Sequence, residues 1–232
     1  MKVNATGSNA TKKTAPQGAH IGRCYQIVDL GTTEDKKFGG RKRKIQLLFE
    51  LPNELATFDD SKGEQPFYVR TSMTLSMSEK ANLRKFIESW IGKTMTDKEA
   101  SNFEIMDLLG MPAMLNISHR VTDAGTFANI MSISPLPKGI VCPPQINPSL
   151  TYDTTAHSQD SFSQLPEFVR TQIMESDEYR ARLVSAPSYE PSVVMPQVQQ
   201  MPQVSKVDPN LTRDLDDIFG ASFTIPSDNP PF

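Results

Sequence analysis

Apolar and polar residues alternate along three stretches in the first half of the chain, a pattern typical of half-buried β-strands. The clearest runs from Arg41 to Leu51. Its apolar face consists of Ile45, Leu47, Phe49 and Leu51, and its other face carries Lys42, Lys44, Gln46 and Glu50. Residues 20–30 and 67–76 predict two further strands. The polar segments 31–40 and 53–65 separate the three strands, and we expect a loop at each.

After the third strand the apolar spacing changes to three and four residues, which predicts a helix. The residues of this stripe are Leu83, Phe86, Ile87, Trp90 and Ile91. Ser76 with Glu79 fits a capping box at the start of the helix, and Gly92 is a natural stop. A second capping box, at Thr96 and Glu99, opens a shorter helical stretch.

Two more strands follow the helices, at residues 113–117 and 127–133, and Asp123-Ala124-Gly125 fits a turn that comes before the second of them. The order is strand, strand, strand, helix, strand, strand, which is the element order of the OB-fold. We therefore expect a mainly β protein, a five-stranded OB-fold-like Greek-key barrel with a helix between strands 3 and 4. The order of the elements does not determine how the sheet closes, so other small β-barrel folds remain alternatives.

Composition changes beyond the predicted barrel. The sequence from Leu165 to Leu183 predicts a short C-terminal helix that begins at Pro166 and could dock on the barrel or on another subunit. The chain divides into a flexible basic arm at 1–18, the OB-fold-like domain at 19–140, an extension with the short helix at 141–183, a Pro/Gln-rich linker at 184–207 and a disordered acidic tail at 208–232.

Charge is distributed as unevenly as composition. Residues 1–44 carry ten basic and three acidic side chains, whereas the whole chain has a formal net charge of −3. The modest total therefore conceals a basic head and an acidic tail. Such asymmetry indicates a polyanionic partner for the head.

The segment from Lys36 to Lys44 is the strongest candidate for a binding site. Six of its nine residues are cationic, with one aromatic residue and two glycines, and single-strand binders combine cations that follow phosphates with rings that stack on bases. If strands 2 and 3 pair, Tyr68 and Arg70 share one concave surface with Lys42 and Lys44. The predicted DNA-binding residues are Lys36, Lys37, Phe38, Arg41, Lys42, Arg43, Lys44, Tyr68 and Arg70. A solvated hairpin loop is the alternative for the charge run.

Other kinds of chemistry find little support in the sequence. His20, His119 and His157 are isolated, so we expect no metal site, and no motif indicates a cofactor or an enzyme. Cys24 and Cys142 make no convincing disulfide framework, which favours a reducing cytoplasm. Neither a signal peptide nor an apolar run of membrane-spanning length is visible.

The acidic tail ends in Pro-Phe and looks like the tip of bacterial single-stranded-DNA-binding proteins, which is a docking peptide for replication and repair partners. An apolar pocket with a basic rim can capture a terminal ring and carboxylate together. The bacterial tip has more acids directly before its Pro-Phe, and an incidental terminal Phe is the alternative. The predicted partner-binding residues are Asp214, Asp216, Asp217, Asp228, Pro231 and Phe232.

The chain also resembles phage-encoded single-stranded DNA-binding proteins over roughly residues 20–180. The strings that carry the resemblance are Arg23–Gly31, Phe49–Pro52, Gln65–Phe67, Leu83–Trp90 and Leu109–Pro112. The resemblance implies an OB-fold protein with an acidic C-terminal tail, used in phage DNA replication and recombination in the host cytoplasm.

These patterns together predict a non-catalytic binder that coats single-stranded DNA with little sequence preference. The tail is expected to recruit replication or recombination proteins, and it could also occupy the basic groove when DNA is absent. Two alternatives remain: a protein-interaction adaptor or inhibitor whose acidic tail mimics DNA, and a structural component of a virion.

Overall fold

The computed structural model describes residues 13–35, 39–123 and 125–185. Three strands are followed by a helical segment, three more strands and three helices. The strands are β1 (Gly18–Glu34), β2 (Arg41–Asp59), β3 (Gly63–Thr74), β4 (Pro112–Thr122), β5 (Gly125–Ser134) and β6 (Leu150–Tyr152). The helices are α1 (Asn82–Ile91), α2 (Asp97–Ser101), α3 (Gln159–Gln164), α4 (Glu167–Met174) and α5 (Asp177–Ser185), with a 3₁₀ turn at Ile105–Leu108.

The six strands form one sheet in the order β3-β2-β1-β4-β5, and β6 joins β1 beside β4. The first five strands pair antiparallel, and β6 is parallel to β1. The prediction of a mainly β protein with a helix between strands 3 and 4 is confirmed. Within the part of the chain that the structure describes, no ladder joins β3 to β5, so the sheet is open rather than closed into a barrel.

Alternation places one face of β2 in the main core, as predicted. Ile45, Leu47, Phe49 and Leu51 are buried against α1, whose Leu83, Ile87 and Trp90 supply the opposite side. The Trp90 ring lies 5.0 Å from the Phe49 ring in an edge-on arrangement, and its Nε1 donates to the Pro112 carbonyl at 2.8 Å. A buried indole with a satisfied N–H is both an apolar and a directional contact.

The helix ends agree with the sequence in two places and disagree in one. Gly92 ends α1 in a left-handed conformation, with φ of 70°, and Thr96 with Glu99 forms the expected capping box of α2. The predicted cap at Ser76 is wrong, because α1 begins only after Ala81, which offers no capping side chain.

The hairpin of β2 and β3 is longer than the alternation predicted. Residues 53–65 are not a polar loop, since β2 continues to Asp59 and β3 begins at Gly63. The strand bends at a register shift between Leu51 and Leu55. Beyond the shift the Phe58 ring packs edge-on against Phe67 at 5.0 Å, so the distal hairpin carries its own aromatic contact.

The segment after β5 builds a second core on the opposite face of the sheet. Val28 and Leu30 of β1 are buried there against residues of the extension, namely Tyr152, Phe162, Leu165, Val169 and Ile173. The single helix predicted over residues 165–183 is two helices, α4 and α5, separated at Glu175 and Ser176. β6 and α3 were not predicted. The extension, whose last helix continues to Ser185, thus covers the outer side of β1 with an apolar interface.

Gly31 marks the closest approach of β1 to α5. Its φ is 71°, and an added Cβ would overlap the side chain of Ser176 and lie 2.8 Å from a Glu178 carboxylate oxygen. We expect Gly31→Ala to lower the free energy of unfolding by more than the ~1–2 kcal/mol that a left-handed alanine costs by itself. Gly39→Ala is the matched control, because its φ is 69° and, its chain neighbours aside, no atom of a described residue lies within 4 Å of the added Cβ. Equal urea midpoints for the two variants would contradict the packing argument.

Candidate nucleic-acid interface

The basic loop predicted as the site is only partly described. Lys36, Lys37 and Phe38 lie outside the described residues, as do the predicted tail residues, Asp214, Asp216, Asp217, Asp228, Pro231 and Phe232.

The structure places three of the predicted cations against carboxylates. Arg41 pairs with Asp177 of α5, Lys42 with Asp35 at 3.2 Å, and Arg43 with Asp29 and Asp153. Their charge is therefore partly neutralised from within the chain. Lys44, by contrast, forms no ion pair with any residue that the structure describes.

The polar face of β2 is largely covered. Gln46, Leu48 and Glu50 are buried, and the fully buried Glu50 carboxylate accepts hydrogen bonds from the backbone N–H groups of Ile146 and Asn147, at 2.8 Å each. Buried carboxylates require such partners. Because the segment after β5 supplies them, most of the outer face of β2 is closed to a ligand.

Asp29 and Arg43 join the extension to the sheet. Burial favours the neutral form of Asp29 and acts to raise its pKa, but hydrogen bonds from Arg43, the Thr154 hydroxyl and the Gly31 N–H outweigh it, so the net pKa lies below the ordinary 3.8. The same pairing raises the pKa of Arg43. Because the pKa of Asp29 is depressed in the fold, its stabilisation is present above its unfolded pKa and is lost as the pH falls through its folded pKa.

We therefore expect Asp29→Asn to lower the free energy of unfolding more at pH 7 than at pH 3, because at pH 3 part of the Asp29 contribution is already lost in the wild type. Urea denaturation at both pH values measures the difference. The exposed Asp60→Asn is the control and should change little at either pH. An equal loss for Asp29→Asn at both pH values would contradict the ionised pairing.

The outer face of β3 is open where that of β2 is closed. Tyr68, Arg70, Ser72 and Thr74 are exposed, whereas the alternate positions Phe67, Val69 and Met73 pack on the main core. β2 and β3 pair as expected, with Lys44 opposite Thr74 and Glu50 opposite Tyr68. Lys44, Tyr68 and Arg70 thus lie on one sheet face, where Tyr68 and Arg70 are exposed and Lys44 is partly exposed.

Tyr68 and Arg70 lie in a cavity of about 310 Å³ between β3, β5 and α4, which we call the aromatic groove. Its lining residues are Lys13, Thr14, Ala15, Phe58, Phe67, Tyr68, Val69, Arg70, Thr126, Phe127, Ala128 and Phe168. Tyr68 is 53% exposed, and Phe58, Phe127 and Phe168 are also exposed. Five aromatic rings and two cations therefore surround one cavity, and none of these described lining residues is acidic.

A neighbouring cavity of similar size extends the groove along β4 and β5. Arg70 and Phe127 line both cavities, and the second adds Arg120, Thr122 and Asn129. None of its described lining residues carries a carboxylate. The two cavities together form an aromatic and cationic surface, and none of the lining residues that the structure describes is acidic.

The groove side chains are held by specific contacts. The Arg70 guanidinium lies 4.9 Å from the centre of the Phe168 ring, a cation–π arrangement. Lys13 Nζ donates to the Thr57 carbonyl at 2.7 Å. Residues 13–17, assigned to the arm by sequence, lie against the sheet, because Ala15 is buried and its carbonyl accepts a hydrogen bond from His119 Nε2 at 2.7 Å.

Tyr25 of β1 is half-buried, near Tyr68 and Glu50. Burial raises the pKa of its hydroxyl, with smaller contributions from nearby Tyr68 and Glu50. Tyr25 therefore stays neutral at physiological pH.

Sequence reasoning missed Lys13, Phe58, Phe127, Phe168 and Arg120. Phe58 fell in a segment expected to be a loop, and Lys13 in a segment expected to be flexible. Phe127 begins the predicted fifth strand, and its distance in sequence from Tyr68 concealed their proximity. Phe168 lies in the predicted C-terminal helix, where its neighbour Val169 makes the buried contact and the Phe168 ring is left exposed.

The described residues contain no group of three or more His, Cys, Asp or Glu side chains that could hold a metal ion. Within the same residues, no helix combines the length and the apolar character that crossing a membrane requires. No family model, no curated protein and no solved structure matches the chain.

Proposed function

We propose that the protein binds single-stranded DNA, with little sequence preference, in the aromatic groove. The observation that carries the proposal is the exposed Tyr68 beside Arg70, in a groove with three further exposed rings and no acid among its described lining residues. Rings stack on any base, and cations attract any phosphate, so this composition suits a sequence-tolerant ligand. No catalytic step is included in the proposal.

The strand order supports an OB-fold-like interpretation of the open sheet. The OB-fold is a partly open Greek-key barrel that binds oligonucleotides on its second and third strands and in the adjoining loops. Here the edge strands β3 and β5 line a common cavity without a ladder between them. We infer that the sheet is such a barrel, opened between β3 and β5, and that the opening is part of the binding groove.

The biological setting is proposed from the sequence. The resemblance to phage-encoded single-stranded DNA-binding proteins supports a role in phage DNA replication and recombination in a host cytoplasm. Recruitment of partner proteins is assigned to Asp214, Asp216, Asp217, Asp228, Pro231 and Phe232. The tail is the natural candidate because its acids and terminal ring suit a basic-rimmed apolar pocket.

Fluorescence anisotropy of labelled oligo-dT tests the proposal, with a matched duplex beside it and two salt concentrations. We expect tight, salt-sensitive binding to the single strand and much weaker binding to the duplex. Absence of single-strand binding at low salt would contradict the proposal.

The adaptor hypothesis has one observation in its favour. Arg41, Lys42 and Arg43 are paired with carboxylates of the chain itself, which reduces the charge that the β1–β2 region offers to DNA. A protein that fails to bind oligonucleotides but retains a protein partner would support the adaptor.

A further inference from the structure

A further cavity, separate from the two described above, lies at the far end of the exposed face of β3. Tyr68 lies in the aromatic groove, and Thr74 lines a cavity of about 550 Å³. The two residues are six positions apart on one strand, which is about 20 Å at the usual strand rise. Arg70 and Ser72 are the exposed residues between them. One exposed stripe therefore connects the two cavities.

This further cavity, which we call the lysine cavity, is composed differently from the groove. Its lining residues are Lys44, Ser72, Met73, Thr74, Ser76, Ser78, Lys80, Ala81 and Asn82. It has two ammonium groups and four hydroxyl groups, and no described lining residue is aromatic or acidic. Hydroxyl and ammonium donors are common ligands of phosphate oxygens in nucleic-acid complexes.

The two lysines are available to an external anion. Neither Lys44 nor Lys80 forms an ion pair with a described residue, unlike Arg41 and Arg43. Lys44 also lines a neighbouring polar cavity with Glu34, Asp35 and Glu175. Lys80 does not, so Lys80 is the cleaner probe of the lysine cavity.

We propose that Lys44 and Lys80 of the lysine cavity each bind a backbone phosphate of the single strand whose bases stack in the aromatic groove. The inference rests on the proposed function and adds the path that the bound strand follows along β3. Bases are held at the Tyr68 end of β3, and phosphate is held at the Lys80 end. A strand that fills both sites spans about 20 Å, or about six nucleotides at the B-DNA rise of ~3.4 Å per nucleotide, and fewer if the strand is extended.

The salt dependence of binding tests this phosphate contact. Each phosphate contact to a single strand contributes about −0.7 to the slope of log K against log salt concentration. We expect Lys80→Gln to make the oligo-dT slope shallower by about 0.7, and the Lys44→Gln, Lys80→Gln double variant by about 1.4. Lys85→Gln removes the same charge from an exposed residue of α1 that does not line the cavity, and its slope should equal that of the wild type.

Three results would overturn the inference. If the wild type binds oligo-dT and Lys80→Gln keeps the wild-type slope, the lysine cavity makes no backbone contact, while the proposed function stands. If that slope is kept but inorganic phosphate raises the Tm of the wild type and not of Lys80→Gln, at matched ionic strength, the cavity binds free phosphate instead. If the wild type binds no oligo-dT, both the proposed function and the inference are wrong.

Discussion

Replacing Tyr68 by alanine is expected to weaken oligo-dT binding about tenfold, because a stacked base contributes about 1–3 kcal/mol. Tyr68 is the one aromatic residue on the outer face of β3, is 53% exposed and lines the aromatic groove together with Arg70. Anisotropy at one fixed salt concentration measures the change. The salt slope should change little, since the ring carries no charge.

Two control variants separate stacking from other effects of Tyr68→Ala. Tyr68→Phe keeps the ring and should bind nearly as well as the wild type. Met131→Ala removes a more exposed apolar side chain of β5 that does not line the aromatic groove, and it should leave binding unchanged. If Tyr68→Ala binds oligo-dT as tightly as the wild type does, the aromatic groove is not part of the binding site.

Replacing Trp90 by alanine is expected to lower the free energy of unfolding by about 3–5 kcal/mol, the range for buried aromatic truncations. The ring is 1% exposed, contacts both Phe49 and Phe86 and donates to the Pro112 carbonyl. Such a loss is a large part of the ~5–15 kcal/mol that stabilises a typical domain. Urea denaturation followed by circular dichroism measures it, because the variant lacks the chain's single tryptophan.

Phe168→Ala is the matched control for Trp90→Ala. It also removes an aromatic ring, but from an exposed position, so its effect on stability should be much smaller. Phe168→Ala should weaken oligo-dT binding more than Trp90→Ala does, because the Phe168 ring lines the groove and supports Arg70. Equal losses of stability in the two variants would contradict the assignment of Trp90 to the core.

The sequence predicted elements whose signal is local. A spacing of two residues places Ile45, Leu47 and Phe49 on one face only if the segment is a strand. A spacing of three and four residues places Leu83, Ile87 and Trp90 on one face only if the segment is a helix. The order of strands and helices followed from these periods. The alternation along β3 likewise predicted that Tyr68 and Arg70 lie on its accessible face.

The parts that could not be predicted depend on residues far apart in the chain. Val28 and Leu30 resemble ordinary strand residues, and nothing near them shows that α4 covers them. Arg43 could not be assigned to Asp153, 110 positions later. The face of β2 was therefore interpreted as open, although Glu50 is buried beneath the segment after β5. Phe127 and Phe168 join Tyr68 only once the sheet and extension are assembled.

The position of the extension late in the chain determines how long one face of β1 stays uncovered during synthesis. Val28 and Leu30 are made early, but Ile173, which covers them, is made about 145 residues later. At roughly 5–20 residues per second, this face of the nascent sheet stays uncovered for about 7–30 s. For that interval β1 presents an apolar surface to the cell's chaperones, and the first half of the chain reaches its native environment only when the C-terminal helices arrive.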